Sequence, residues 1–440
     1  MRRESIYWII VLITFVVFLI KFRRYPILIL ILFFFFEGLF TYYGQYTWNI
    51  YKIFLPVFTF LIVLQKKKEI KFAKNKWLIY SFAFFSLCFV ISSLINRDYI
   101  LLFLNQYSRY LLPFLSYLLI IAYNNQGWDF NTYNILLKKI LNLQIFFSFV
   151  NFLLMGVHEN IVGSVSSNGG SAATTIPLLG IIFIWFINKG TLKRNDWIYI
   201  FLLIFIGFVS AKRAIWILSP IFLMLLIYYI PHKKINRNIF IILPLLPLIL
   251  YFGIRLNPTF NKEGKIWGSF DLNYFYDFTM NYTFGDNSDD DDVRVGRGGA
   301  TLLTIESIFS KEKEITFFGN GLLNMYSFGD DSREENPDSP ILISNLNSIT
   351  MATGLFQNYY TGGIFGVLSF LAFMSALFFT IKNKRIRNVL ILAFLWEYLF
   401  YANNIIRTPA SSFLLIYLII YSNEFINPGN GSAKVVNSLS

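Results

Sequence analysis

Charged side chains are scarce in this chain: Asp, Glu, Lys and Arg make up only 14% of its 440 residues, against 56% hydrophobic residues and a mean hydropathy of +0.55. So little polar surface cannot enclose a water-soluble core, which excludes a soluble globular domain. The one cysteine, Cys88, lies in an apolar run, so no intramolecular disulfide forms and the redox compartment is not readable from cysteine usage. There is no Gly-x-x-x-x-Gly-Lys-Ser/Thr run, and hence no phosphate-cradling P-loop. The run Asp289-Asp290-Asp291-Asp292 lacks the ordered spacing and glycine of an EF-hand; it reads as a solvated turn, and neither metal nor cofactor is expected. The formal charge of +13 raises nucleic acid, but the Lys and Arg sit in clusters bracketed by apolar runs rather than along one polar face, which argues against it.

What remains is a series of apolar segments. A span needs about twenty mostly apolar residues, fewer where interfacial side chains snorkel. The candidates are Ile6–Ile20, Tyr25–Tyr43, Ile50–Leu64, Trp77–Ile95, Tyr99–Tyr123, Ile135–Val157, Ser171–Ile187, Trp197–Val209, Ala214–Ile230, Ile239–Ile254, Leu355–Ile381, Val389–Tyr401 and Pro409–Tyr421. Only helices satisfy their own backbone in hydrocarbon, so the expected fold is an all-α polytopic membrane protein with about 12–13 transmembrane helices. One long stretch, Arg255–Thr350, interrupts the series. It divides the chain into a first transmembrane part (1–254), a large, partly helical loop domain (255–350), a last transmembrane part (351–424) and a tail (425–440).

That stretch holds sixteen Asp and Glu against eight Lys and Arg, so the excess positive charge lies in the short loops. Basic short loops stay in the cytoplasm while long polar domains cross largely regardless of charge, which places the acidic stretch on the far side. Setting Lys66-Lys67-Lys68 inside and alternating puts Lys138-Lys139, Lys189–Arg194, His232–Arg237, Lys382–Arg387 and the C-terminus inside as well. The same walk puts Met1 outside, against its Arg2-Arg3 pair, and leaves the helix count open between twelve and thirteen. The start resembles a signal peptide, yet its apolar run ends at Lys21 and Arg23 without a small-residue cleavage site, so it reads as a retained helix.

Two outward positions stand out. Lys212 and Arg213 fall at an outer helix end, where basic residues are disfavoured; they read either as snorkelling side chains or as an anion site. Arg109 lies about ten residues into its span, where an unpaired Arg is costly. Glu397, similarly deep in its own helix, is the expected partner.

Ser210-Ala211-Lys212-Arg213 resembles the Ser-x-x-Arg element of the bacterial O-antigen polymerase and O-antigen ligase superfamily. Gly163-Ser164-Val165-Ser166-Ser167-Asn168 is similar to that family's outer loop bearing glycine and asparagine. Val293-Arg294-Val295-Gly296-Arg297-Gly298-Gly299-Ala300, followed by Phe318-Gly319-Asn320-Gly321, resembles its Arg element preceding a Gly-x-Gly turn, and Gly362-Gly363-Ile364-Phe365-Gly366 opens a helix as its Gly-x-x-Gly does. Each motif is short; their order and common outer location give them weight. One departure favours the polymerase over the ligase: Ala352 stands where ligases of the family carry a histidine, and neither His158 nor His232 is near.

The resemblance implies a GT-C-like enzyme of the bacterial inner membrane that joins undecaprenyl-diphosphate-linked oligosaccharides at the periplasmic face, with a chain-length regulator protein as a further partner. The chemistry asks for cations that grip a departing diphosphate, and the planar fork of Arg pairs bidentately with phosphate oxygens. Arg213 with Arg297 or Arg294 forms the expected clamp, and Lys212 adds a point charge. Ser210, Asn168, Arg109 and Arg255 are further expected substrate contacts, and Tyr359, Tyr360 and Trp267 are candidates for stacking on sugar faces or, alternatively, interfacial anchors. Glu306, at helical spacing after the loop arginines, is the candidate general base beside its plainer reading as a solvated carboxylate. Two rivals remain: a ligase, and a flippase of lipid-linked sugars, against which stands the lack of a recognisable internal repeat.

Overall fold

The computed structural model describes residues 3–67, 76–98, 100–124, 130–156, 162–167, 172–188, 192–210, 215, 218–219, 221–224, 247–248, 250–257, 260–284, 297–309, 317–321, 353–400 and 408–424. Almost all of them are helical, and no strand occurs among them. Among the described residues five helices are long and apolar enough to cross a membrane, which fits an all-α polytopic membrane protein. In chain order the helices are α1 (Arg3–Phe22), α2 (Pro26–Phe35), α3 (Glu37–Tyr42), α4 (Gln45–Gln65), α5 (Lys76–Ile95), α6 (Ile100–Asn124), α7 (Phe130–Met155), α8 (Ala172–Ile187) and α9 (Arg194–Val209). After them come α10 (Leu272–Phe284), α11 (Arg297–Phe309), α12 (Gly354–Phe379), α13 (Lys384–Phe400) and α14 (Pro409–Glu424).

Local chemistry sets several boundaries. Pro26 opens α2, where its missing N–H would have gone unused. Thr353 caps α12, its hydroxyl accepting from the N–H of Phe356 at 3.3 Å. Some hydroxyls within the spans bond back to carbonyls one turn earlier, as Thr14 does to Ile10 and Thr59 to Leu55. Helix α8 is buried from Ala172 to Phe186 and forms the centre of the bundle, with α9 and α14 against it; an apolar helix with no polar face belongs there. Lipid-facing positions lie on outer helices, such as Ile13 and Val17 of α1 and Tyr80 and Leu87 of α5.

Side-chain contacts define two poles. At one, Lys66 lies over the ring of Tyr123, Lys138 pairs with Asp196 at 3.8 Å, and the N–H of Lys382 donates to the Asn423 side chain. The hydroxyl of Tyr417 also joins the C-terminal half of α14 to Asn134 at the start of α7. The basic residues Lys66, Lys138 and Lys382 thus mark one pole, with the end of α14 among them. At the opposite pole Arg3 donates to the carbonyl of Leu154 near the end of α7, so the start of α1 lies away from the basic loops, as the alternation of sides requires.

One expected span is corrected. Tyr25–Tyr43 is not a single helix: the backbone breaks at Phe36 (φ −115°, ψ 24°) between α2 and α3. The expected spans Ala214–Ile230 and Ile239–Ile254 lie largely outside the described residues.

Candidate functional site

Helix α12 is broken at Gly363, whose φ of 63° and ψ of −157° are open essentially to glycine alone. The turn Phe317–Asn320 seats in that break. Asn320 N–H donates to the carbonyl of Tyr360 at 2.8 Å, and Phe365 N–H donates to the carbonyl of Phe317 at 3.2 Å. From α5, Ser92 donates to the carbonyl of Thr361 and Asn96 to that of Gly319. The carbonyls of Tyr360 and Thr361 and the N–H of Phe365 thus find partners outside their own helix, as non-helical backbone within a bundle requires. A methyl on Gly319 would stand 2.5 Å from the nitrogen of Gly363 and 2.6 Å from the oxygen of Tyr360. The two glycine motifs, Gly319 and Gly363 being forty-four residues apart in sequence, are thus one physical unit.

A second non-helical segment lies deep among the helices. Residues 162–167 are mostly buried, and Ser164 takes two contacts from the amide oxygen of Gln144, donating its N–H at 2.8 Å and lying 3.0 Å away through its hydroxyl. Tyr7 donates to the carbonyl of Gly163 at 2.7 Å, the Ser164 hydroxyl to that of Phe35 at 2.9 Å, and Gly38 N–H to that of Ser164 at 3.0 Å. Gln144 lies eleven residues before the end of α7, so the segment reaches roughly 16 Å below that helix end. The break at Phe36 exposes the carbonyl and N–H that hold it.

Next to this clasp sits a buried charged group. Arg109 pairs with Glu37 at 3.6 Å, and the Glu37 carboxylate also accepts from the indole N–H of Trp48 at 3.4 Å. The ring of Trp48 carries two cations, Arg109 at 4.7 Å and Lys52 at 3.3 Å. The expected partner of Arg109 is therefore corrected from Glu397 to Glu37, because α6 turns Arg109 towards α3 and α4. Glu397 is buried on α13, beside the Tyr398 that stacks on Phe370 of α12.

The remaining expected residues separate clearly. Ser210 is buried at the end of α9 away from Lys138 and Asp196, its hydroxyl bonding the carbonyl of Gly207. Ile215 has already returned to pack on Gly207. Lys212, Arg213, Arg294 and Asn168 lie outside the described residues. Arg297 opens α11, which also carries Glu306 and packs on α12 and α13 through Thr301, bonded to Thr353 and to the carbonyl of Leu399; the side chains of Arg297 and Glu306 are not among those described. Arg255 is engaged locally, donating to Gly268 at 2.9 Å and to Tyr251 at 2.6 Å. Tyr359 and Tyr360 are 1% and 2% exposed, which corrects their reading as open stacking platforms.

Sequence reasoning passed over Glu37, Trp48, Lys52 and Gln144. A lone charge inside an apolar segment was the available signal for Glu37 and Lys52. Trp48 and Gln144 carry none, since a single indole or amide in a span is ordinary. Among the described residues no cluster of three or more His, Cys, Asp or Glu could hold a metal ion. No protein-family model, no curated protein and no solved structure matches this chain.

Proposed function

We propose that the protein is a membrane glycosyltransferase that joins diphosphate-linked oligosaccharide repeat units into a polysaccharide, in the manner of an O-antigen polymerase. One observation carries this reading: the turn Phe317–Gly321 sits in the break at Gly363 on the pole opposite the basic loops. Helix α11, which starts at Arg297, docks on the same end of α12. Motifs scattered along the chain thus share one end of the bundle, with Ser210 at the matching end of α9. Taking the basic pole as cytoplasmic puts that end, and the loop it carries, in the periplasm.

The chemistry follows from charge. The acceptor hydroxyl attacks the anomeric carbon, its C–O bond forms as the bond to the diphosphate breaks, and the departing diphosphate gains negative charge. Arg297 opens α11, where the helix N–H groups and macrodipole favour an anion, and its guanidinium is the first arm of the proposed clamp. Arg213, three residues past Ser210, supplies the second arm, and Glu306 on α11 is the candidate to accept the acceptor's proton.

Purified protein incubated with a polyisoprenyl-diphosphate repeat unit should yield a ladder of oligomers with release of the lipid diphosphate. Unchanged substrate with folded protein overturns the assignment. A second reading, a flippase of the same lipid-linked units, draws on the two interrupted segments and the buried Arg109–Glu37 pair, which are features of transporters. A deletion strain separates them: single repeats outside without long polymer indicate the polymerase, and repeats stranded inside indicate the flippase.

A further inference from the structure

The loop that follows Arg255 does not leave the membrane surface at once. The guanidinium of Arg255, at the end of helix 250–256, lies over the rings of Tyr251 and Trp267 at 5.5 and 4.6 Å. Trp267 has φ +69°, a left-handed conformation that a bulky residue holds only when its surroundings enforce it, and it remains 52% exposed. Its ring packs on Phe252, and that of Phe270 packs on Tyr251. Phe252 is itself exposed, and so is Leu248 four residues before it. The exposed apolar surface at the end of that helix therefore continues into Ile266, Trp267 and Phe270.

It continues further along α10. At about 100° per residue the helix divides into three strips. Tyr274, Phe275, Phe278 and Thr279 face inward, with Phe275 and Phe278 against Phe260. Leu272, Tyr276 and Met280 form an exposed apolar strip, and Asn273, Asp277 and Asn281 form an exposed polar strip beside it. A helix immersed in water has no use for the apolar strip, and a helix crossing hydrocarbon could not carry the polar one. A helix lying along the boundary uses both. Helix α10 packs on α11, and so belongs to the pole opposite the basic loops.

We propose that Ile266–Met280 is an interfacial element seated in the bilayer surface at that pole. Trp267 anchors its start, and the Leu272, Tyr276 and Met280 strip rests at the boundary between headgroups and acyl chains. The occupant of the strip is lipid rather than a second protein because Trp267, exposed a few residues before the strip, packs on Phe252 at the end of the long apolar segment Ile239–Ile254. The beginning of the polar loop is thereby held flat on the membrane. This inference stands whatever reaction the protein performs.

The test places single cysteines, in a Cys88→Ser background, at positions 272, 276 and 280 and at 273, 277 and 281. Each is labelled with a nitroxide, with the protein in phosphatidylcholine–phosphatidylglycerol nanodiscs. The first three labels should meet dissolved oxygen severalfold more readily than a water-soluble nickel chelate, and the second three should show the reverse. Equal access to the chelate at all six positions, or shielding of the first three from both reagents, overturns the proposal. Wild-type protein gives an independent measure: brominated lipids should quench a component of its tryptophan emission that is lost in Trp267→Phe, and an unchanged quenchable fraction contradicts the anchor.

Discussion

The backbone N–H of Asn320 donates to the carbonyl of Tyr360 over 2.8 Å, tying the turn Phe317–Asn320 to the break in a buried helix. In an unbroken helix that carbonyl would serve its own chain one turn on. The break at Gly363 releases it, and the loop takes the place of the missing turn. The loop and the helix are each incomplete alone.

Gly319→Ala should therefore destabilise the protein by about 1–3 kcal/mol, since the residue holds φ +68° and its added methyl would meet backbone atoms of Tyr360 and Gly363. Gly362→Ala, where the new methyl meets only the Phe89 ring at 3.5 Å, should be far milder. Thermal unfolding in detergent distinguishes the two.

Gln144→Leu should loosen the buried 162–167 segment. It leaves the Ser164 N–H without its acceptor, at about 1–3 kcal/mol, while the Ser164 hydroxyl keeps the carbonyl of Phe35. Hydrogen exchange at residues 162–167 should rise well before global unfolding.

Removing Glu37 should do more harm than removing the pair. Glu37→Ala leaves Arg109 charged beside Lys52 and Trp48 and should cost about 3–5 kcal/mol, whereas Glu37→Leu with Arg109→Met should recover most of it. Equal losses in the two variants would show that the ion pair itself, rather than the stranded charge, is what matters.

Under the proposed reaction, Arg213→Ala and Arg297→Ala should each lower polymerisation at least a hundredfold, about 3–4 kcal/mol in barrier, in protein that is inserted at normal abundance. Normal polymer length in either variant removes that arginine from the site.

The start of α10 should be acid-sensitive in a narrow window. Asp271 caps the helix by accepting from Tyr274 N–H at 3.0 Å, and its hydrogen bond with Lys262 holds its carboxyl below the ordinary value of 3.8. A depressed carboxyl contributes above the unfolded value and loses that contribution as pH falls through the folded one. Amide exchange near Tyr274 should thus be unaffected by protonation of Asp271 from neutral pH down to about 5, and protection should fall below about 4. Asp271→Asn, which keeps a capping oxygen, should remove the pH response.

Composition and spacing made much of the architecture legible. Apolar run lengths located the helices around Lys76–Ile95, Phe130–Met155 and Gly354–Phe379, because length and hydropathy alone decide what crosses hydrocarbon. The basic clusters at Lys66, Lys138 and Lys382 foretold one shared pole. Run length misled at Tyr25–Tyr43, where an apolar run with Glu37 as its one charge hides a helix break that contacts with Ser164 stabilise.

The sequence by itself determined that this chain lives in a membrane and which segments share an end, since transfer of apolar side chains from water is a local property summed along the chain. Only the tertiary structure decided that Arg109 pairs with Glu37 rather than Glu397, that Ser164 descends to Gln144, and that Gly319 closes on Gly363. Those choices depend on which way each helix turns its polar side chains. Rotation of a nearly all-apolar helix is set by its neighbours, because its own composition offers almost no polar face to steer it.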